Sequence, residues 1–195
     1  MSSDTPDGDA VVAAIMSRRS IGRIGPGPVS RERVEELLRA AVRAPNHHLT
    51  GPWRFVVLAG DARREVGEAH LRARLRAQPD LPPEAHAKEA ARLERAPVVI
   101  ACCVRPGGDA VQAREDRDAV AAGIQNLLLA ATARGLEAMW RTGVMVSQPE
   151  GLEALGLADG AAVVGFVYVG PPVGSGEHGP SPRPDIQTLT VWRGW

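Results

Sequence analysis

Residues 114–134 read as one long helix whose middle, Ala119, Val120, Ala121, Ala122, Gly123 and Ile124 and then Leu127 to Ala131, is apolar nearly all round. A surface helix needs only one apolar stripe, so this one must be covered on most of its sides. Its small residues favour close packing against another helix, and a second subunit is one source of that helix. With 195 residues, 44% of them hydrophobic, the chain is one ordinary soluble domain long enough to bury a sizeable core.

The segments around that helix alternate in type. Residues 1–10 are assigned to a disordered tail and 11–195 to one folded domain, of which 171–195 form a C-terminal extension. Val11, Val12, Ile15 and Met16 recur at helical spacing and lead into Arg18, Arg19 and Ser20. Ser30 is placed to cap a second helix carrying Val34, Leu37, Leu38, Ala41 and Val42, which stops before Pro45. After the turn-rich PNHHLTGPW comes a short strand in which Phe55 to Leu58 read as buried on both faces. A charged helix and a Pro-broken polar region lie beyond it and read as peripheral. The run PVVIACCV is the strongest strand and belongs at the centre of a sheet. Its Cys102 and Cys103 point to opposite faces, which makes them core thiols rather than a disulfide or a shared metal site. Two further strands are expected in LEAMWRTGV and AAVVGFVYVG. A Pro/Gly-rich linker over 171–186 then precedes QTLTVWRGW, whose β character has nothing after it to pair with.

Charge and motif content remove several function classes. Lys+Arg and Asp+Glu balance at 23 each, so no global field attracts nucleic acid or an anionic membrane. The longest apolar runs, near 97–104 and 161–170, are far below the roughly 20 residues of a membrane span. With no leader pattern at the N-terminus, a cytoplasmic location is expected. The chain lacks GxGxxG after a strand, GxxxxGK[ST], HExxH, CxxC and GxSxG. Adjacent His47 and His48 cannot both face one metal from a regular element, so no metal site is expected.

Basic residues near turns remain. Arg18 and Arg19 beside Ser20 suit a phosphomonoester, because a guanidinium fork and a hydroxyl match its oxygens; the alternative is compensation of a helix C-terminus. Arg43 carries the same two readings. His47 is either a loop histidine or a ligand contact, and Trp53 and Trp140 are either core or stacking surfaces.

Taken in order, SRRSIGR (17–23), LLRAAVRAPNHHLTGPWRFVVL (37–58), ATARGLEAMWRTGV (132–144) and VVGFVYVGPP (163–172) resemble the nitroreductase family of FMN-dependent enzymes, in particular its small single-domain bacterial members. RRS followed about twenty-five residues later by APxxxxxxPW is the specific part of the match. The resemblance covers about residues 11–172. It implies an α+β fold with a mixed, mostly antiparallel sheet surrounded by helices, assembled as a homodimer with FMN at the subunit interface. By matched position, Arg18, Arg19 and Ser20 would hold the phosphate and ribityl chain, and Arg43 and His47 would come from the second subunit. Trp140, Arg141 and Thr142 would line the flavin. Ala130, Ala131, Thr132, Ala133, Arg134 and Gly135 match a segment assigned to NAD(P)H.

The same resemblance implies an NADH- or NADPH-driven oxidoreductase that reduces nitroaromatic, quinone or related acceptors by a ping-pong cycle. No protein nucleophile is required, and Arg141 or Arg43 would stabilise the charge on the reduced ring. Two alternatives stay open: a flavin-dependent dehydrogenase or tailoring enzyme that returns electrons to oxygen, and a flavin-binding protein without turnover. The sequence departs from the family pattern at three places. Gly22 stands where many members carry a basic residue, with Arg23 one place later. His48 follows His47 where similar members have a basic residue. Arg193 is the nearest counterpart of the basic tail of longer members.

Overall fold

The structure is a computed structural model, and it describes residues 8–105, 107–142, 149–157, 160–175, 178–179 and 181–195. The order of elements is α1 (Gly8–Ser17), α2 (Arg31–Ala41), β1 (Trp53–Ala59), α3 (Ala62–Ala77), α4 (Pro83–Ala90), β2 (Val98–Val104), α5 (Ala110–Ala133), β3 (Glu137–Arg141), α6 (Pro149–Ala154) and β4 (Ala162–Gly170). Short 3₁₀ turns occur at His47–Leu49, Ala91–Arg95 and Ile186–Thr188. The fold is α+β, as expected. Residues 8–10, counted above with the tail, already belong to α1.

The four strands form one sheet in the order β1-β2-β4-β3, and all three pairings are antiparallel. Every residue of β2 is buried, which places PVVIACCV at the centre. Its side chains alternate between two cores. Val98, Ile100, Cys102 and Val104 face α2 and α5 through Val34, Leu37, Val120, Ile124 and Leu127. Val99, Ala101 and Cys103 face Leu58, Val66, Leu93, Phe166 and Tyr168. Both cysteines are fully buried on opposite faces, and burial pushes the Cys102 thiol far up.

Local sequence explains the two helices that carry the first core. Ser30 Oγ accepts from Arg33 N at 3.3 Å and starts α2. Asp109 Oδ1 accepts from Val111 N and Gln112 N at 2.8 and 3.0 Å and starts α5. The helix that α5 approaches closely is α2 of the same chain. At Gly123 a Cβ would lie 2.9 Å from Ala41 O and 3.0 Å from the Trp53 indole nitrogen. That indole donates from Nε1 to Ala119 O at 3.2 Å, so Trp53 joins strand β1 to α5.

Two expectations change. The β1 strand is not buried on both faces: Leu58 is buried, but Val57 is 42% exposed. The cause is its edge position, since it pairs with β2 alone. The C-terminal segment is no strand within this chain. It forms a 3₁₀ turn and then an irregular tail in which Leu189, Val191, Trp192 and Trp195 are exposed. The apolar face of α1, Val11, Val12, Ile15 and Met16, is exposed as well. Among the described residues, no helix is long and apolar enough to cross a membrane.

Complete burial of both thiols gives a direct check of the β2 register. A water-soluble disulfide reagent should label neither cysteine in the native protein and both after denaturation; rapid native labelling would place β2 wrongly.

Candidate functional site

After α1 ends at Ser17, the RRS segment leaves the helix and runs beside β3, tied by Ile21 N to Ala138 O at 3.2 Å. The two adjacent arginines part company here. Arg19 Nη1 donates to Met16 O, Ser17 O and Arg18 O at 2.8, 3.0 and 3.0 Å, closing the C-terminus of α1. It satisfies the carbonyls that a helix end leaves open, which is the dipole-compensating role. Arg18 instead reaches Ser20 Oγ at 3.4 Å. Burial first, and then the nearby charges of Arg183 and Arg19, hold the Arg18 guanidinium below its ordinary pKa. Among the described residues no carboxylate pairs with any of the three. Three cations without an acid form a locus that an anion would stabilise.

Arg18 and Ser20 share a cavity of about 390 Å³ with Gln125 and Leu128 of α5, Trp140 of β3 and Thr142. Among the described residues the buried Trp140 Nε1 has no hydrogen-bond partner. It lies against β4 at Gly165, where a Cβ would sit 2.0 Å from it. A glycine is required there for the indole edge to approach the strand this closely. Residues 143 and 144 of the matched segment lie outside the described residues.

Arg141 is not brought into this cavity. Successive side chains of a strand alternate, so Trp140 joins the α2/α5 core while Arg141 lies on the other face. There its guanidinium stands 5.7 Å from the centroid of the Tyr168 ring. Its Nη2 also lies beside Gly22, 3.7 Å from where a Cβ would be. Segment 130–135 is likewise divided. Ala131 is buried in the core, Ala130 and Ala133 face a groove against Ala10, Val11 and Ala14 of α1, and Arg134 pairs with Glu36 at 3.2 Å. Thr132 and Gly135 do reach a second cavity, also about 390 Å³, together with Arg19, Glu137 and His178.

Arg43 and His47 are both exposed and belong to the surface after α2. The loop that carries His47 is strained: His48 and Leu49 have φ of 60° and 52°, and Gly51 has 60°. Each non-glycine residue in that region costs about 1–2 kcal/mol. The expectation that adjacent imidazoles diverge holds for regular elements. In this turn the donor atoms of His47, His48 and Glu115 all lie within 4.8 Å of one another.

The Nitroreductase family matches residues 15–171. The chain belongs to that family. YdjA of Escherichia coli, provisionally named an NAD(P)H nitroreductase, is 28% identical over 81% of this chain and 86% of its own length. A nitroreductase-like family protein from Bacillus cereus superposes with a TM-score of 0.79 at 26% identity, covering 94% of this chain and 96% of that one. A provisionally named nitroreductase from Desulfovibrio desulfuricans, solved in complex with FMN, gives 0.74 at 28% identity over 95% and 97%.

Motif reading passed over three residues at or near this site. Leu128 was legible as helix core, while Gln125 is an exposed polar residue interrupting the apolar run; both line the cavity. Arg183 stood in a Pro-rich linker, and only its charge could have marked it. The contact between Trp140 and Gly165 yields a test. Gly165→Ala should displace the indole and destabilise the protein by about 1–3 kcal/mol, read by urea unfolding together with a change in native tryptophan fluorescence.

Proposed function

We propose that this nitroreductase-family chain is an FMN-dependent oxidoreductase. In this reading NADH or NADPH is the donor, nitroaromatic, quinone or related compounds are the acceptors, and two copies assemble with flavin at their seam. The observation that carries the reading is Arg18, beside Ser20 and under the charges of Arg19 and Arg183, with no carboxylate paired to any of the three among the described residues. Arg18 opens onto a cavity that it shares with Ser20, Trp140 and Thr142. The residues fit the cofactor because the arginines favour a phosphate and Ser20 and Thr142 bring hydroxyl groups to the same cavity. When bound, the flavin supplies reversible two-electron transfer between a nicotinamide and an acceptor.

The chain's own residues then divide the work. Arg18 and Ser20 hold the phosphate, with Arg183 adding charge. Arg19 contributes chiefly by fixing the end of α1, which sets where Arg18 points. Trp140 and Thr142 line the ring and ribityl side. Segment 130–135 is assigned to the nicotinamide cofactor, and within it Thr132 and Gly135 reach a cavity.

Arg43 and His47 are assigned to the flavin of the second copy. Within one chain the His47 loop adjoins the N-terminal half of α5, near Asp116, while the Arg18 cavity adjoins Gln125 and Leu128. At 1.5 Å per residue these positions are roughly 14–18 Å apart along the helix. A second copy is what brings such a loop to such a cavity. The exposed faces supply the means: Val11, Val12, Ile15 and Met16 of α1, and Leu189, Val191, Trp192 and Trp195 of the tail. Exposed apolar residues clustered in this way mark a contact surface.

The direct test is a visible absorption spectrum of the purified protein, before and after NADPH is added without oxygen. Bound flavin that bleaches supports the reading; a colourless protein that takes up no FMN overturns it. Arg18→Ala should weaken FMN binding by about tenfold or more, since a charge-assisted hydrogen bond is worth about 1.5–3 kcal/mol. Arg19→Ala should weaken binding less and lower the melting temperature more, as followed by flavin-fluorescence titration and thermal unfolding.

A further inference from the structure

We propose that Asp116 of α5 is a positioning residue, which acts through Thr50 to hold the 46–51 loop in the shape that presents His47 to the flavin of a second copy. The proposal rests on the reading that His47 meets that flavin.

Asp116 is a carboxylate only 2% exposed on a helix otherwise buried through apolar groups. Its Oδ1 accepts from Thr50 Oγ1 at 2.5 Å. A hydroxyl has one hydrogen to give, and that of Thr50 goes to Asp116. The Thr50 oxygen therefore turns its lone pairs to Asn46, whose Nδ2 donates to it at 3.0 Å. The same amide nitrogen donates to His47 O at 3.1 Å, and Asn46 Oδ1 accepts from Gly51 N at 2.8 Å. The donor order is thus fixed from the helix outward, and the two ends of the loop are drawn together. Between them lie the left-handed residues His48 and Leu49. A loop strained at two successive non-glycine residues persists only where its surroundings fix it. The tie to Asp116 comes from outside the loop and anchors it on the most buried helix of the fold. His47 is exposed, and its ring stands edge-on to that of His48, 3.9 Å between centroids, with Glu115 nearby; both imidazoles ride on the loop, so releasing the anchor moves His47 without touching it.

The test uses the full-length protein with FMN as the probe. Variants are Thr50→Val, which keeps the shape and removes the hydroxyl, Thr50→Ser, which restores it, and the isosteric Asp116→Asn. His47→Ala and the double variant His47→Ala/Thr50→Val complete a cycle. Thr50→Val and Asp116→Asn are expected to weaken FMN binding about tenfold and to alter the visible circular dichroism of the bound flavin. Thr50→Ser should bind as the wild type does. The double variant should bind no more than about twofold more weakly than His47→Ala, because both changes remove one interaction.

Losses that multiply in the double variant would overturn the proposal, since general destabilisation would produce them. Wild-type affinity and spectrum in both Thr50→Val and Asp116→Asn would overturn it too. Should Thr50→Val fail to fold, Asp116→Asn and His47→Ala/Asp116→Asn decide the same question. A wild-type protein that does not bind FMN is a different failure: it removes the functional reading, and this proposal with it.

Discussion

Helix α5 can sit against α2 only because residue 123 has no side chain. A Cβ there would come within 2.9 Å of Ala41 O and 3.0 Å of the Trp53 indole nitrogen. That close approach sets the distance between the two helices and seats Trp53 on Ala119 O. Everything of chemical interest then hangs on positions along α5. Asp116 anchors the histidine loop near one end, Gln125 and Leu128 wall the arginine cavity further on, and Thr132 reaches the second cavity near the other end. A bulkier residue at 123 would shift all three relative to β3 and β4, because interiors at close-packed density transmit displacement rather than absorb it.

Much of this was legible from residue type and period. The all-round apolar helix, the central strand 98–104, the Ser30 cap and the opposed cysteines follow from local rules, and local rules suffice where burial is nearly total. The edge position of β1 was not legible. Whether a run such as Phe55 to Leu58 is covered on both sides depends on strand order, which is set by distant pairings and not by the run itself. The tail shows the same limit from the other side. QTLTVWRGW has the composition of a strand, but within one chain it finds no edge to join.

At the site, residue type alone could not divide Arg18 from Arg19. Their geometry divides them, because α1 stops at Ser17 and its last open carbonyls fall within reach of only the second arginine. The separation of Trp140 and Thr142 from Arg141 was legible in principle, since a strand alternates its faces. The family resemblance treated the three as one lining, and the period of two separates them. For the histidine loop no sequence rule sufficed. Asn46 and Thr50 are ordinary turn residues, but the loop that holds His48 and Leu49 left-handed is tied through Thr50 to a carboxylate 66 positions further on, which no local rule could supply.

The single chain places its cations and its imidazole loop at different stations along one rigid helix, and it leaves apolar residues of α1 and the tail exposed to water. Each feature is unfavourable or without purpose in isolation. An uncompensated group of arginines repels itself, a strained loop stores energy, and exposed valine and tryptophan invite association. On the proposed reading, pairing two copies around a phosphate-bearing ligand would give each feature a use: the anion would neutralise the arginines, the loop would meet the cavity of the other copy, and the apolar faces would leave solvent. Because one association would then serve charge and burial together, that reading requires flavin affinity and subunit affinity to be thermodynamically linked, each raising the other.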